Sequence, residues 1–292
     1  MKKKLLVSFS GGESSAYMVA WLKKHKSGEY DMSFVYMNTS KEREETLIFA
    51  DKVDKHFNIN LVWIEAVFDD KKSIGYRITN FHDVKRKGEV FEEMIKCYGL
   101  PNNAYPHCSR ELKLQPVIRY AKDVLKEYYT AIGIRADEID RISKKWKEKR
   151  FYYPLIENTI TKNHVNLFWN NMPFRLNLKG YEGNCNKCWK KSFRKLMTIA
   201  KDERDLGIKD GWWGDMEKKY SNYLPPHRYR KPLEDKKLTF FRKNLSDDDI
   251  VEMSKEYFLI ADDDSINYAI QEKLFEHDLD IINGCSESCE VF

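Results

Sequence analysis

The chain has 292 residues, and 51 Lys plus Arg against 46 Asp plus Glu give a formal net charge of +5. With 33% charged and 42% hydrophobic residues, the composition excludes a disordered chain and a membrane-embedded one. The basic start at residues 1–4 is followed by only three apolar residues, too few for a signal peptide. We therefore expect a cytoplasmic protein with no membrane partner.

The first third of the chain alternates strand-like and helix-like patterns. Taken in order, the predicted elements are a strand at 5–9, a helix at 14–24, a strand at 33–37, a helix at 42–57, a strand at 60–67, a helix at 113–126, a strand at 128–134 and a helical stretch near 161–170. Strands separated by helices of this length predict right-handed crossovers and a parallel sheet.

The predicted architecture is a Rossmann-like, doubly wound parallel sheet in a nucleotide-binding α/β domain over residues 1–160. Residues 69–107 break the rhythm and are expected to leave the sheet as a lid-like insertion. A smaller, mainly helical and irregular region at 161–292 carries a Cys-x-x-Cys knuckle.

The segment after the first strand is the most informative local motif. It reads Ser8-Phe9-Ser10-Gly11-Gly12-Glu13-Ser14-Ser15. Two glycines let a backbone approach a ligand closely, and the N-terminus of the following helix offers N–H groups to an anion. No Gly-Lys-Ser/Thr is present, so this is not a Walker loop. The alternative is an ordinary strand-to-helix turn with a serine cap.

Six cysteines in a chain of this length exclude a small disulfide scaffold. They are Cys97, Cys108, Cys185, Cys188, Cys285 and Cys289. The Cys185-x-x-Cys188 pair suits zinc or an iron–sulfur cluster. Our hypothesis is a metal site formed by Cys108, Cys185 and Cys188 with a fourth ligand from Cys285, Cys289 or His107. The alternative is a set of reduced, unliganded cysteines. We interpret Cys97 as non-functional.

The loop and four further segments resemble the phosphoadenosine phosphosulfate (PAPS) reductase family, in particular its phage-type and prokaryotic stand-alone members, within the PP-loop adenine nucleotide α-hydrolase-like superfamily. The segments are Asn38-Thr39-Ser40-Lys41-Glu42 with Glu45-Thr46, Cys108-Ser109-Arg110-Glu111-Leu112-Lys113 with Pro116, Gly133-Ile134-Arg135-Ala136-Asp137-Glu138 with Arg141, and Gly183-Asn184-Cys185-x-x-Cys188 with Lys190-Lys191-Ser192. Their order and spacing agree over residues 4–200.

The resemblance implies a PP-loop nucleotide-binding fold and an adenine nucleotide, PAPS or ATP, as ligand. The residues expected to contact it are Ser8, Ser10, Gly11, Gly12, Glu13, Ser14, Ser15, Asn38, Thr39, Gly133, Arg135 and Asp137. Arg110 and Lys113 lie three apart and are expected to hold a phosphate or sulfate from one helical face. The expected catalytic set is Cys108, Arg110, Lys113, Cys285 and Cys289.

The resemblance leaves two enzyme reactions open. In the reductase version, a thiolate of Cys285 or Cys289 attacks the sulfur of PAPS, and a thioredoxin-like donor reduces the thiosulfonate to release sulfite. In the sulfurtransferase version, ATP with Mg²⁺ activates a nucleic acid that then receives sulfur. Cys-x-x-Cys with a third cysteine favours the second version, whereas Ser14, where ATP-cleaving relatives carry Asp, disfavours it.

A third hypothesis belongs to another class of protein. The chain would be a nucleotide-binding or nucleic-acid-binding module whose Cys185–Cys188 knuckle holds a structural zinc. The basic run at residues 144–150 bears on this hypothesis. Given the modest overall charge, the run alone favours a solvated face over a nucleic-acid contact.

Overall fold

A computed structural model describes residues 2–183, 185–208, 210–225, 227, 237–263 and 265. The chain folds as a mixed α/β protein with a six-stranded sheet in the order β4-β3-β2-β1-β5-β6. All neighbouring strands pair in parallel except β3 and β4, which are antiparallel. The prediction of a mostly parallel sheet flanked by helices is confirmed.

The strands are β1 (Lys3–Phe9), β2 (Tyr30–Asn38), β3 (Val62–Phe68), β4 (Ser73–Thr79), β5 (Tyr129–Ala131) and β6 (Phe151–Tyr152). The α-helices are α1 (Glu13–Lys26), α2 (Glu44–Phe57), α3 (Glu89–Tyr98), α4 (Gln115–Val124), α5 (Pro154–Glu157), α6 (Lys162–Asn170), α7 (Phe193–Asp205), α8 (Trp212–Tyr220) and α9 (Asp247–Met253). A π-helical turn, Ser109–Leu114, leads into α4, and 3₁₀ turns cover Ala136–Arg141 and Arg242–Asn244.

The central strand β1 is buried because helices cover both faces of the sheet. Leu5, Leu6 and Val7 are fully buried, as a strand with parallel neighbours on both sides requires. Leu5 and Val7 face the hydrophobic cluster that contains α1 and α2, whereas Leu6 faces the cluster that contains α4. The loop after β1 therefore lies at the carboxyl edge of the sheet's centre, the usual ligand position in open α/β folds.

Part of the segment 69–107 belongs to the sheet, contrary to the sequence-based expectation of an excursion from it. Residues 73–79 form β4, which extends the sheet at its edge, and α3 packs its apolar face into a second hydrophobic cluster. The sequence hides β4 because it is a half-exposed edge strand with Gly75 in its middle, so its alternation is weak.

The second cluster joins α3 to the last third of the chain. It contains Met94, Leu112, Leu196 and Trp213 from four different elements. The first cluster reaches past the predicted boundary at 160, because Val165 and Trp169 of α6 pack in it together with Leu5. The division into two domains stays a prediction.

Within the described residues, no helix combines the length and apolar character that a membrane crossing needs.

Candidate functional site

The loop between β1 and α1 is closed by its own serines. The hydroxyl of Ser15 donates to the carbonyl of Gly12 (2.9 Å) and accepts from the backbone N–H of Ser10 (3.2 Å). The hydroxyls of Ser10 and Ser15 lie 3.0 Å apart. In the part of the chain that the structure describes, no side chain caps the first turn of α1. The N–H groups of that turn are thus not taken up by a capping side chain, as an anion site needs.

Position 11 of this loop requires glycine. Its φ is +83°, and an added Cβ would lie 2.6 Å from Cγ2 of Thr46 and 2.9 Å from a ring carbon of Tyr36. Gly12 has an ordinary extended backbone and room for a Cβ, which would lie 3.9 Å from the Ser10 hydroxyl. The two glycines therefore have different roles. Gly11 is needed for the backbone conformation of the loop, whereas Gly12 leaves the entrance of the loop open.

Arg135 joins the loop to the end of β5. Its Nη1 donates to the hydroxyl of Ser14 (2.9 Å), and its Nε lies 3.1 Å from Oδ1 of Asp137. Glu138 accepts from the backbone N–H of Arg135 (3.3 Å) and pairs with Arg141 (2.7 Å). Arg135 is largely buried and held by two carboxylates, so the guanidinium is fixed in place beside the loop.

Gly133 allows β5 and α1 to approach each other. A Cβ at this position would lie 2.9 Å from the Cα of Ser15. The predicted nucleotide residues Ser10–Ser15, Gly133 and Arg135 are therefore brought together at one edge of the sheet, whereas Ser8 lies buried within β1.

A cleft opens above this loop. It is lined by the loop itself and by side chains from later elements: Ser10, Gly11, Gly12, Glu13, Ser14, Ser15, Thr46, Arg135, Lys162, Leu176, Leu178, Lys179, Gly180, Gly183 and Ser265. Three cations, Arg135, Lys162 and Lys179, are among them. Lys162 and Lys179 were not predicted, because they lie far along the chain in segments without a recognisable motif.

One wall of the cleft is the segment 175–180, which we call the strap. Arg175 holds it with two bonds from Nε and Nη2 to the carboxylate of Glu13, both 3.0 Å long. The N–H of Leu176 adds a third bond to the same carboxylate (3.3 Å). The side chain of Glu13, predicted to contact a nucleotide, thus positions the strap over the loop.

Asn38 and Thr39 end β2 and are fully engaged with buried carboxylates. The Asn38 amide donates to Glu65 (2.7 Å), and its oxygen accepts from the N–H of Ser40 (3.2 Å). Thr39 donates its N–H and its hydroxyl to Glu42 (2.9 and 2.8 Å). A nucleotide at this strand end would meet backbone atoms or displace these bonds.

A second cluster, which we call the cysteine cluster, lies beside Thr39. It contains Thr39, Glu42, Lys113 and Cys185, together with Cys108 and Cys188. A single bridge pairs the backbones of Glu42 and Cys185, and Lys113 Nζ lies 3.9 Å from the Glu42 carboxylate. Chain segments far apart in sequence therefore meet at the end of β2.

Cys185 holds its proton. Burial, followed by the nearby Glu42 carboxylate, raises the pKa of the Cys185 thiol to about 12. Its Sγ lies 3.4 Å from the Thr39 hydroxyl, whose proton points to Glu42. The Cys185 S–H donates to Oε1 of the same Glu42 carboxylate, 4.0 Å from its Sγ. Cys185 is a buried thiol, not a thiolate, in this arrangement.

Cys108 and Cys188 are half-buried neighbours of the same cluster. The indole N–H of Trp189 donates to Sγ of Cys108 (3.4 Å), and the Cys188 N–H donates to the Cys185 carbonyl (3.2 Å). Burial lowers the pKa of Lys191 to about 8, and its Nζ donates to the carbonyls of Tyr181 and Gly183. Because Gly183 lines the cleft, Lys191 links the cleft wall to the cysteine cluster.

Arg110 and Lys113, predicted to act together, have different surroundings. The Arg110 side chain is 55% exposed and bonds the Glu111 carboxylate, whereas Lys113 is buried beside Glu42. Both lie in the π-helical turn Ser109–Leu114, whose spacing differs from that of the α-helix on which the prediction depended. Glu42 was predicted only as a member of a motif. Its carboxylate contacts Thr39, Lys113 and Cys185 and so connects the residues of this cluster.

Among the described residues, no group of three or more His, Cys, Asp and Glu side chains is placed to hold a metal ion. The three cysteines as they lie do not form a ready-made site, so we derive no chemical step through a metal. Cys285 and Cys289, the predicted nucleophiles and possible ligands, lie outside the described residues. Cys97 is buried in the second hydrophobic cluster and donates to the carbonyl of Asp69 (2.7 Å).

No family model matches the chain. It is similar to an uncharacterized nin region protein, ORF290, of Escherichia phage lambda, with 29% identity over 297 residues. That alignment covers 98% of this chain and 94% of the phage protein. The similarity therefore extends through the last third of the chain, beyond the segments that carry the motifs.

Two archaeal proteins match over shorter lengths. An uncharacterized Methanocaldococcus jannaschii protein, MJ0066, is 26% identical over 209 residues, which cover 71% of this chain and 38% of that protein. A second one, MJ0973, is 27% identical over 161 residues, which cover 55% of this chain and 31% of that protein. Each archaeal relative is thus much longer than the part it shares.

Proposed function

We propose that the chain is an adenine-nucleotide-binding enzyme of sulfur metabolism, similar to the PAPS reductase family, with a Rossmann-like PP-loop fold. The observation that carries the proposal is the loop 10–15 with its open mouth at the carboxyl edge of β1. The cysteine cluster lies at the end of the neighbouring strand, beside this loop. Sulfur chemistry next to a nucleotide phosphate needs a phosphate-binding loop and a group of cysteines within one region.

In this proposal the loop holds a phosphate group of PAPS or ATP. Backbone N–H groups of the first turn of α1 and the hydroxyls of Ser10 and Ser14 donate to its oxygens. Arg135 fixes the Ser14 hydroxyl and adds a positive charge beside it. Lys162 and Lys179 line the same cleft, where Lys179 pairs with Asp202 (2.6 Å).

The cysteine cluster supplies the sulfur-handling part of the proposal. The Cys185 thiol needs to lose a proton before it can act as a nucleophile or a ligand, and the Glu42 carboxylate is its neighbour at 4.0 Å. Lys113 stabilises negative charge that develops on this side of β2. This cluster equally suits the second candidate, ATP-dependent sulfur transfer to a nucleic acid.

The non-enzymatic alternative, a binding module with a structural zinc, makes a different prediction for the purified protein. Anaerobic purification followed by elemental analysis distinguishes the sulfur enzyme from the binding module. Iron with acid-labile sulfide supports the sulfur enzyme, whereas stoichiometric zinc with no iron supports the structural role.

The variant Gly12→Asp tests the nucleotide site without disturbing the fold. An aspartate suits the start of α1 and leaves its stability unchanged or higher, but its charge lies in the mouth of the loop and repels a phosphate. We expect calorimetric affinity for both ATP with Mg²⁺ and PAPS to fall at least about tenfold.

Gly12→Ser is the matched control, since it adds a side chain of similar position without the charge. It should keep its affinity within about threefold and melt at the temperature of Gly12→Asp or slightly below it. If the wild type binds neither nucleotide, or if Gly12→Asp binds both as tightly as the wild type does, the phosphate-loop assignment is wrong.

A further inference from the structure

A strongly basic segment lies on the surface away from the nucleotide cleft. Residues 144–150 are all exposed and read Lys144-Lys145-Trp146-Lys147-Glu148-Lys149-Arg150. Arg150 lies 3.5 Å from the exposed Glu127 carboxylate. Throughout the described residues, the four lysines of this segment form no ion pair. The segment therefore presents four lysines that pair with no carboxylate of the described structure, and Arg150 is its one cation with such a partner.

The segment is held in place by the sheet. The N–H of Phe151 donates to the Trp146 carbonyl (2.8 Å), and the N–H of Thr130 donates to the Arg150 carbonyl (3.0 Å). Inside the segment, the N–H of Lys149 donates to the carbonyl of Lys145 (3.0 Å). A partner would therefore meet a preformed surface, which lowers the entropic cost of binding.

Exposed aromatic rings accompany the lysines. Trp146 is 40% exposed, and Lys147 Nζ lies 5.3 Å from the centre of its ring system. Tyr129 is 37% exposed, and Lys3 Nζ lies 5.7 Å from its ring centre. Each exposed ring thus has a lysine ammonium group beside its face.

The strand register makes these features neighbours. Leu5 pairs with Tyr129 between β1 and β5, and Thr130 pairs with Phe151 between β5 and β6. Lys3, Tyr129 and the end of the basic segment consequently lie at the amino ends of three adjacent strands. We call Lys3, Tyr129 and residues 144–150 together the basic platform.

We propose that the basic platform binds single-stranded nucleic acid. Lysines neutralise phosphates and release counterions, and exposed rings stack on unpaired bases. An anionic membrane is a poorer fit, because a membrane-surface segment needs a continuous apolar face and residues 144–150 expose one large apolar side chain, Trp146. Duplex DNA offers no unpaired base for the exposed rings.

The platform and the phosphate loop lie at opposite ends of the strands. A seven-residue strand such as β1 spans about 20 Å, so an oligonucleotide on the platform does not compete with a mononucleotide in the cleft. This proposal therefore stands independently of the assignment of the cleft, and its test needs no nucleotide cofactor.

The test measures binding of a fluorescein-labelled oligothymidylate of about 20 nucleotides to the full chain by anisotropy, from about 50 to 200 mM salt. The triple variant Lys144→Gln, Lys147→Gln, Lys149→Gln should bind at least about tenfold more weakly, and the slope of log affinity against log salt should fall by about 2. Trp146→Ala should weaken binding about fivefold or more with the slope unchanged.

The matched control is Lys52→Gln, Lys71→Gln, Lys96→Gln, which removes the same charge from other exposed positions and should stay within about twofold of wild type. Three results overturn the proposal: the wild type does not bind, the control loses as much affinity as the platform variant, or the platform variant loses binding to phosphatidylserine vesicles but keeps binding to the oligonucleotide. Melting temperatures show that each variant is folded.

Discussion

At the scale of single residues, the loop between β1 and α1 contains two glycines that look equivalent in the sequence but have different surroundings. Gly11 combines a positive φ with contact distances to Thr46 and Tyr36 that leave no room for a methyl group. Gly12 has neither constraint. A substitution at Gly11 is therefore expected to lower the stability of the fold, whereas Gly12 has room for a side chain.

Gly11→Ala is expected to lower the free energy of unfolding by about 2–4 kcal/mol, because the left-handed backbone and the crowded Cβ both oppose alanine. Urea unfolding measures the effect. Gly28→Ala is the control, since Gly28 lies outside the left-handed region with open space around it, and should change stability by less than about 1 kcal/mol. Equal losses in the two variants would contradict this account of the loop.

Sequence reasoning was most successful at residues that belong to recognisable motifs. The loop serines and glycines, Gly133 and Arg135 were predicted to lie together, and the structure brings them together. It could not assign Glu42 or Glu65, because their importance comes from burial and from partners distant in the chain. A carboxylate in a sequence carries no sign that it will be the buried acceptor for an asparagine or a threonine.

At the scale of elements, the strap connects the region after α6 to the first turn of α1. The Glu13 side chain is 10% exposed and that of Arg175 is 26% exposed, so their two bonds are partly shielded from water. Glu13 also lies where the helix favours a negative charge. These features predict a stronger coupling than a surface ion pair provides.

A double-mutant cycle on Glu13→Gln and Arg175→Met should give a coupling energy of about 1–2 kcal/mol from urea unfolding. The exposed pair of Asp51 and Lys55, whose lysine is 69% exposed, serves for comparison and should give about 0.5 kcal/mol or less. A coupling energy between Glu13 and Arg175 that is no larger than that of the surface pair would show that the strap is held by other contacts.

Helices and strands with a strong hydrophobic period were predicted well, whereas short or exposed elements were not. The helix predicted at 42–57 is observed at Glu44–Phe57, and the strand predicted at 33–37 lies inside Tyr30–Asn38. The two-residue strand β6 is too short to show alternation. The start of the helix predicted at 113–126 was displaced because Ser109–Leu114 has π-helical spacing, which a 3.6-residue period does not detect.

At the scale of the whole molecule, a buried polar group joins α7, α8 and α9. Glu217 of α8 accepts from the N–H groups of Phe240 and Asp247 (2.8 and 2.7 Å). Lys187 pairs with Asp247 of α9 (2.9 Å) and with Glu203 of α7 (3.4 Å). Burial raises the pKa of Glu217 to about 7. The helices are thus packed around a carboxyl group that keeps its proton to a higher pH than an ordinary glutamic acid does.

This pKa predicts a pH-dependent stability. A carboxyl group whose pKa is higher in the folded than in the unfolded protein binds its proton more tightly in the folded state. The free energy of unfolding is therefore greatest below the ordinary pKa of glutamate, and it falls as the pH rises to about 7. Glu217→Gln should remove this contribution. The fall in unfolding free energy between about pH 4.5 and 7 should therefore be roughly 1–3 kcal/mol smaller in the variant than in the wild type. Equal falls would contradict the prediction.

The backbone bridge between Glu42 and Cys185 also has a consequence for synthesis of the protein. The cysteine cluster closes only after the ribosome has released residue 185, whereas Cys108 emerges earlier. At about 5–20 residues per second, the Cys108 thiol is open to the cell for roughly 4–15 seconds before its neighbours arrive. During translation, oxidants and electrophiles therefore have access to a thiol that the finished fold half-encloses.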